Sequence, residues 1–144
     1  MYRHHYKYRN YKYKSNERGE IKVKFIFNKL LTSTAYMFSD CSSLQSIDLS
    51  SFNTTNVKNM SSMFLGCSSL RSIDLSSFNT TNVENMYTMF RGCSSLQSIN
   101  LSSFNTTKVK EMDGMFYCCS SLKKENVKIS EYGKKLLDEK CWKP

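Results

Sequence analysis

A period of 26 residues governs the chain. Phe38, Phe64, Phe90 and Phe116 fall at that interval, as do Cys41, Cys67, Cys93 and Cys119, and Leu44, Leu70, Leu96 and Leu122. Residues 41–64 and 67–90 agree at 20 of 24 positions, and 67–90 and 93–116 at 17 of 24, so the repetition is not chance. A repeat of roughly 20 to 50 residues is a supersecondary unit that cannot bury its apolar face alone. Such units must stack, each covering the open face of its neighbour.

Within one unit, Leu70-Arg71-Ser72-Ile73-Asp74-Leu75 follows L-x-x-I-x-L, the strand signature of a leucine-rich repeat. Alternation predicts Ile73 and Leu75 inward and Ser72, Asp74 and Ser76 outward. After an Asn/Thr-rich turn, Val83, Met86, Met89 and Phe90 recur at i, i+3, i+6 and i+7, which predicts one face of a short helix. Thr81 and Glu84 have the spacing of a capping box, and Gly66 and Gly92 stand where a left-handed residue ends a helix. Extended backwards, the register aligns Ile21, Val23, Ile26 and Leu31 with Ile47, Leu49, Phe52 and Val57. Extended forwards, it aligns Glu125 and Val127 with Ile99 and Leu101.

The expected fold is an α/β repeat: a short leucine-rich repeat solenoid with one parallel strand plus a short helix or loop per 26-residue turn, about five rungs in all, with caps. The expected organisation is a basic Tyr/Lys-rich N-terminal arm over 1–20, an N-terminal capping repeat over 21–40 and leucine-rich repeats over 41–122. A C-terminal cap over 123–144 completes it, with a short helix opened by Ser130 through Leu136 and Leu137, pinned by Trp142.

The unit M-F-x-x-C-S-S-L-x-S-I-D-L-S-S-F-N-T-T-N-V-x-N-M, over about residues 36–122, resembles the BspA-like leucine-rich repeat surface proteins of bacteria and protists. That resemblance implies a solenoid without catalysis, displayed on a cell surface and used in adhesion or protein binding.

The net charge of +9 is unevenly placed. Residues 1–35 hold nine Lys/Arg against two acids, residues 36–122 five against six, and residues 123–144 seven against four. A polyanionic partner would therefore engage the ends and not the nearly neutral repeats. The first fourteen residues interleave five Tyr with five Lys/Arg. Tyr6, Lys7, Tyr8, Arg9, Tyr11, Lys12, Tyr13 and Lys14 form a candidate polyanion arm, since rings can stack on bases while cations neutralise phosphates. The same alternation suits a strand covering the open edge at Ile21, or a basic tail.

The column Cys41, Cys67, Cys93, Cys119 is expected to be structural. A metal centre needs thiolates converging at about 2.3 Å on one ion, whereas residues one rung apart in a ladder lie roughly 5 Å apart. Disulfides between neighbouring rungs stay sterically open at that spacing. No metal and no cofactor are expected. Asn53, Asn79 and Asn105 each begin N-T-T and Asn59 begins N-M-S, all formal glycosylation acceptors, but their recurrence at the period favours turn formation.

Lys22, Asp48, Asp74, Asn100 and Asn126 fall on successive strands, and Lys22, Asp48, Arg71, Asp74 and Asn100 form a candidate interaction face among serines. Differences between repeats concentrate instead at 58, 84 and 110, at 61, 87 and 113, and at 62, 88 and 114, with Tyr87, Arg91 and Tyr117 as a candidate side patch. Catalysis is not expected: the only histidines, His4 and His5, lie in the arm, and no glycine-rich phosphate loop, HExxH or GxSxG occurs. No stretch approaches the roughly 18 apolar residues of a membrane-spanning helix, and the first twenty residues lack the features of a signal peptide. By sequence the chain reads as intracellular, whereas the resemblance implies the cell surface. The expected function is protein–protein interaction or adhesion by a monomer with an unidentified protein partner. Nucleic-acid or polyanion binding through the arm is a secondary reading, and a piece of a longer surface adhesin a third.

Overall fold

Every non-proline residue carries a backbone donor and an acceptor that must find partners once buried. In the computed structural model, which describes residues 30–143, many of those partners lie about one repeat away. The chain winds in turns over 41–66, 67–92 and 93–118, preceded by 30–40 and closed by 119–143, and two hydrogen-bonded ladders join the turns.

The first ladder runs along the strand signature. Arg71 N–H donates to the Gln45 carbonyl at 3.4 Å, and Gln97 N–H to that of Arg71 at 3.2 Å. Asp74 bridges to Asn100, and the ladder becomes regular where β1 (Ile99–Leu101) pairs in parallel with β2 (Val127–Ile129). Ile73 and Leu75 are buried, while Ser72, Asp74 and Ser76 are exposed.

The second ladder replaces the helix that the apolar spacing suggests. Met60, Ser62, Phe64 and Gly66 donate to the carbonyls of Asn85, Tyr87, Met89 and Arg91, at 2.9, 2.9, 2.9 and 2.8 Å. The alternate donors turn back within the rung: Met63 to Met60, Leu65 to Ser62 and Cys67 to Phe64. Alternate members of these overlapping four-residue turns, Met60 to Met63 and Phe64 to Cys67, have positive φ at their third residues, as in a type II turn. Two columns supply it: Tyr36, Ser62, Thr88 and Gly114, and Asp40, Gly66, Gly92 and Cys118, with φ from 50° to 77°. A right-handed helix excludes that conformation. At Gly66 an added Cβ would also come within 2.6 Å of Asp40 Oδ1 in the rung before it. The capping box does not form. Thr81 N–H donates to Asn79 Oδ1, and Glu84 instead pairs across rungs with Lys110 Nζ at 2.7 Å.

Inside, like residues sit on like. Phe38, Phe64, Phe90 and Phe116 stack with ring centroids 5.4, 5.4 and 5.9 Å apart, and Trp142 closes the column 4.9 Å from Phe116. A second column holds Phe52, Phe78 and Phe104 at 5.9 and 6.4 Å. Met60, Met63, Met86, Met89 and Met115 belong to the same core and are all fully buried.

The last rung departs from the extrapolated register. Ile99 pairs with Val127 and Leu101 with Ile129, so Glu125 does not face Ile99. A 3-10 turn, Lys124–Asn126, takes up the two additional residues. A slip of two preserves the inward parity that a slip of one would invert. A 3-10 helix, Glu131–Leu137, buries Leu136, and Trp142 Nε1 donates to the Leu136 carbonyl at 3.2 Å. The arm over 1–20, Lys22, and the aligned residues Ile21, Val23 and Ile26 lie outside the described residues.

Phe90, sandwiched between two rings, is the test of this core. Phe90→Ala is expected to cost about 3 to 5 kcal/mol in urea unfolding. A loss under about 1 kcal/mol, the scale of an ordinary surface substitution, would contradict its place in a packed column.

Candidate interaction surface

Most of the polar residues that repeat bond to backbone. Asp48 Oδ1 accepts from Ser50 N–H at 2.9 Å, Asp74 Oδ1 from Ser76 N–H at 2.9 Å and Asn100 Oδ1 from Ser102 N–H at 3.1 Å. Asn53, Asn79 and Asn105 do the same for Thr55, Thr81 and Thr107, and Asn59 and Asn85 for Ser61 and Tyr87. The turns 41–66 and 67–92 thus have Asx corners in three places, and 93–118 in two, since Glu111 stands at the third. The N-T-T asparagines are corner residues in this arrangement.

The middle threonines work between rungs. Buried Thr54 Oγ1 donates to the Asn79 carbonyl at 3.0 Å and accepts from Asn79 N–H at 2.8 Å, and Thr80 repeats both bonds with Asn105. Ser77 and Ser103 donate to the carbonyls of Leu49 and Leu75, and Ser68, Ser94 and Ser120 to those of Ser42, Ser68 and Ser94.

The cysteines follow the same logic. The thiols of Cys67, Cys93 and Cys119 donate to the carbonyls of Phe38, Phe64 and Phe90 at 3.1, 3.2 and 3.0 Å. Burial pushes Cys67 and Cys119 up to about 12 and Cys93 higher still. Such thiols are poor nucleophiles, since the thiolate is the reactive form. Cys41 differs from its column: it is exposed, at the end of the described rungs. All six cysteines are free, and among the described residues no group of three or more His, Cys, Asp or Glu could hold a metal ion.

Of the candidate face, Asp48, Asp74 and Asn100 share one column and Arg71 stands beside it between Gln45 and Gln97, whereas Lys22 lies outside the described residues. With Ser72, Ser76, Ser98, Asn126 and Lys128, Asp74 and Asn100 line a shallow open groove. The Ser50 and Ser76 N–H groups hold the Asp48 and Asp74 carboxyls below their ordinary range. The groove offers hydroxyls, amides and a few charges, without an aromatic anchor.

One feature escapes a reading by motif, and one candidate side patch gains its geometry. Adding 26 to Met115 and Phe116 gives Cys141 and Trp142, so the cap continues two core columns although neither residue matches the repeat. Cys141 is buried and its thiol is raised by burial to about 11. On the turn ladder, Tyr87 is exposed and the Arg91 guanidinium lies 4.9 Å over the Tyr117 ring.

Two outcomes follow from these bonds. In the native protein, a thiol reagent is expected to label Cys41 and Cys118 rapidly and the other four only as the chain unfolds; rapid labelling of Cys93 would refute the stacked column. Asp74→Asn should leave the urea midpoint at neutral pH close to the parent's, because Asn100 shows that an amide oxygen holds the same corner. A carboxyl held low in the folded state adds stability above its ordinary value and loses it as pH falls through the lowered one. Asp74→Asn should therefore flatten the acid limb of a stability profile measured against the parent.

Among the described residues no helix is long and apolar enough to cross a membrane. No curated protein and no solved structure matches the chain. Residues 32–135, which span the three complete turns, match the family described as Mycoplasma protein of unknown function, DUF285, and the chain belongs to that family.

Proposed function

We propose that this protein is a short leucine-rich repeat solenoid of the BspA-like kind that binds a protein partner, in adhesion or assembly, without catalysis. One observation carries the reading. The recurring Asx, Ser, Thr and Cys side chains engage backbone within or between rungs, which leaves a stiff, continuous outer surface as the part able to act. Stacked repeats of this sort use extended surfaces to bind macromolecules. Against an enzyme stand the buried thiols, raised by desolvation, and strand-face carboxylates tied to their own corners. Neither offers a poised acid, base or nucleophile.

The test is a selection of random dodecapeptides on the immobilised full chain. The reading expects peptides that remain bound at roughly 0.5 M salt, where phosphate-type contacts are largely lost. If no peptide is retained and only oligonucleotides bind, with steep salt dependence, the reading fails and the basic arm becomes the functional element.

A further inference from the structure

We infer that the partner docks on the turn ladder around Tyr87, Arg91 and Tyr117, and that it presents an acidic segment with a carboxylate beside an aromatic or aliphatic side chain. The inference rests on the protein-binding reading above and adds to it a location and a chemistry.

A partner protein is not periodic, so it can be held in one register only by a surface that changes from rung to rung. The strand face changes little: Ser46, Ser72 and Ser98 form one column, and Ser50, Ser76 and Ser102 another. A segment lying on those serines would meet the same surface after each step of one rung. The turn ladder is different. One of its columns reads Ser61, Tyr87, Asp113, with Ser61 buried and Tyr87 and Asp113 exposed, and another Leu65, Arg91, Tyr117, so no two rungs look alike. Both columns are built on the ladder itself: the carbonyls of Tyr87 and Arg91 accept the Ser62 and Gly66 N–H groups. Their backbone is therefore fixed before any partner arrives, which reduces the ordering cost of binding.

The side chains there have anchor chemistry. Tyr and Arg are enriched among residues that dominate protein interfaces. Tyr87 is 45% exposed, and Arg91 is exposed with its guanidinium laid over the Tyr117 ring. Of the other cations, Lys110 is paired with Glu84 at 2.7 Å and Lys140 with Asp113 at 3.7 Å. Among the described residues no carboxylate lies within ion-pair distance of Arg91. Its guanidinium keeps a planar fork of donors, oriented by the ring, that matches a carboxylate in two parallel bonds. Arg71 on the strand face is also without an acid, but among the described residues no ring lies beneath it. A carboxylate on Arg91 with an apolar side chain against Tyr87 is the complement this face lacks.

Peptides selected as above should be enriched in Asp or Glu adjacent to Phe, Tyr, Trp or Leu. Titration of a labelled selected peptide into the full chain should show about a tenfold or greater loss of affinity for Arg91→Leu, which copies the preceding rung. Arg91→Lys should recover part of that loss, because a point charge lacks the fork. Tyr87→Ser, again the preceding rung's residue, should cost about fivefold or more, whereas Arg71→Gln and Asp74→Asn should change affinity less than about twofold. Both altered side chains are exposed, so thermal melts matching the parent accompany these results. Selected peptides that ignore Arg91 and Tyr87 but are lost with the strand-face variants overturn the inference and leave protein binding standing. Displacement of the peptide by heparin as effectively as by unlabelled peptide also overturns it, since charge alone would then account for binding. If no peptide is retained, both readings fall.

Discussion

Turns, unlike helices and sheet interiors, leave many backbone donors and acceptors without partners in their own segment, and each one buried unpaired costs about 1 to 3 kcal/mol. Among the described residues turns outnumber helix and strand, so the fold depends on matching each rung's leftover groups to the rung beside it. On the turn ladder the matching is done by the backbone, with every second donor crossing to the next rung. Elsewhere it is done by side chains. Thr54 and Thr80 each serve one donor and one acceptor of the following rung, and the column cysteines give their thiol hydrogens to phenylalanine carbonyls of the preceding one. A polar residue placed this way can serve its neighbour only if the neighbour has the same shape, and that requirement accounts for the near identity of the repeats.

The aromatic columns follow from the same geometry. Rungs joined by backbone bonds sit about 5 Å apart, and aromatic rings prefer offset contacts with centroids roughly 4.5 to 7 Å apart. A phenylalanine at a fixed place in each rung meets both conditions, and the observed separations of 5.4 to 5.9 Å in the longer column lie within that range. At the closing end the array needs a surface that stacks on one side and meets solvent on the other. Trp142 provides it, half-buried over Phe116, with its indole N–H on the Leu136 carbonyl and the Lys124 ammonium 5.7 Å above its ring.

Sequence reading reached the columns and missed the path between them. The inward places of Ile73, Leu75 and the phenylalanines follow from period and alternation alone. The helix failed because Val83, Met86, Met89 and Phe90 have a spacing that overlapping four-residue turns share with a helical face. The discriminating feature is positive φ at Ser62 and Thr88, where neither residue type announces it. Only Gly114, in the same column, carries a sequence signal for that conformation. The two-residue slip at Val127 was equally hidden, since Glu125 and Val127 satisfy the period by count and only a 3-10 turn decides between them. On the candidate surface, the strand-face residues could be grouped by register. The stacking of Arg91 on Tyr117 joins like places one period apart, whereas the pairing of Lys140 with Asp113 falls one residue off the period and no periodicity announces it.

Stability and recognition are separated by position in this architecture. Substitution at Thr54, Cys67 or Phe64 removes a bond or a stacked ring that two rungs share, so the cost falls on the array and identical residues are retained. Exposed positions away from such bonds tolerate change within about 0.5 kcal/mol. The chain's variation is concentrated on the turn ladder. Column 58, 84, 110 alternates Lys, Glu and Lys and closes an ion pair between Glu84 and Lys110. Such exposed pairs contribute little to stability. Columns 61, 87, 113 and 65, 91, 117 change residue class at each step without disturbing the ladder beneath them, whose bonds come from main-chain atoms. A main-chain ladder is indifferent to the side chains it displays, and that indifference is what allows one face of a nearly invariant repeat to become specific.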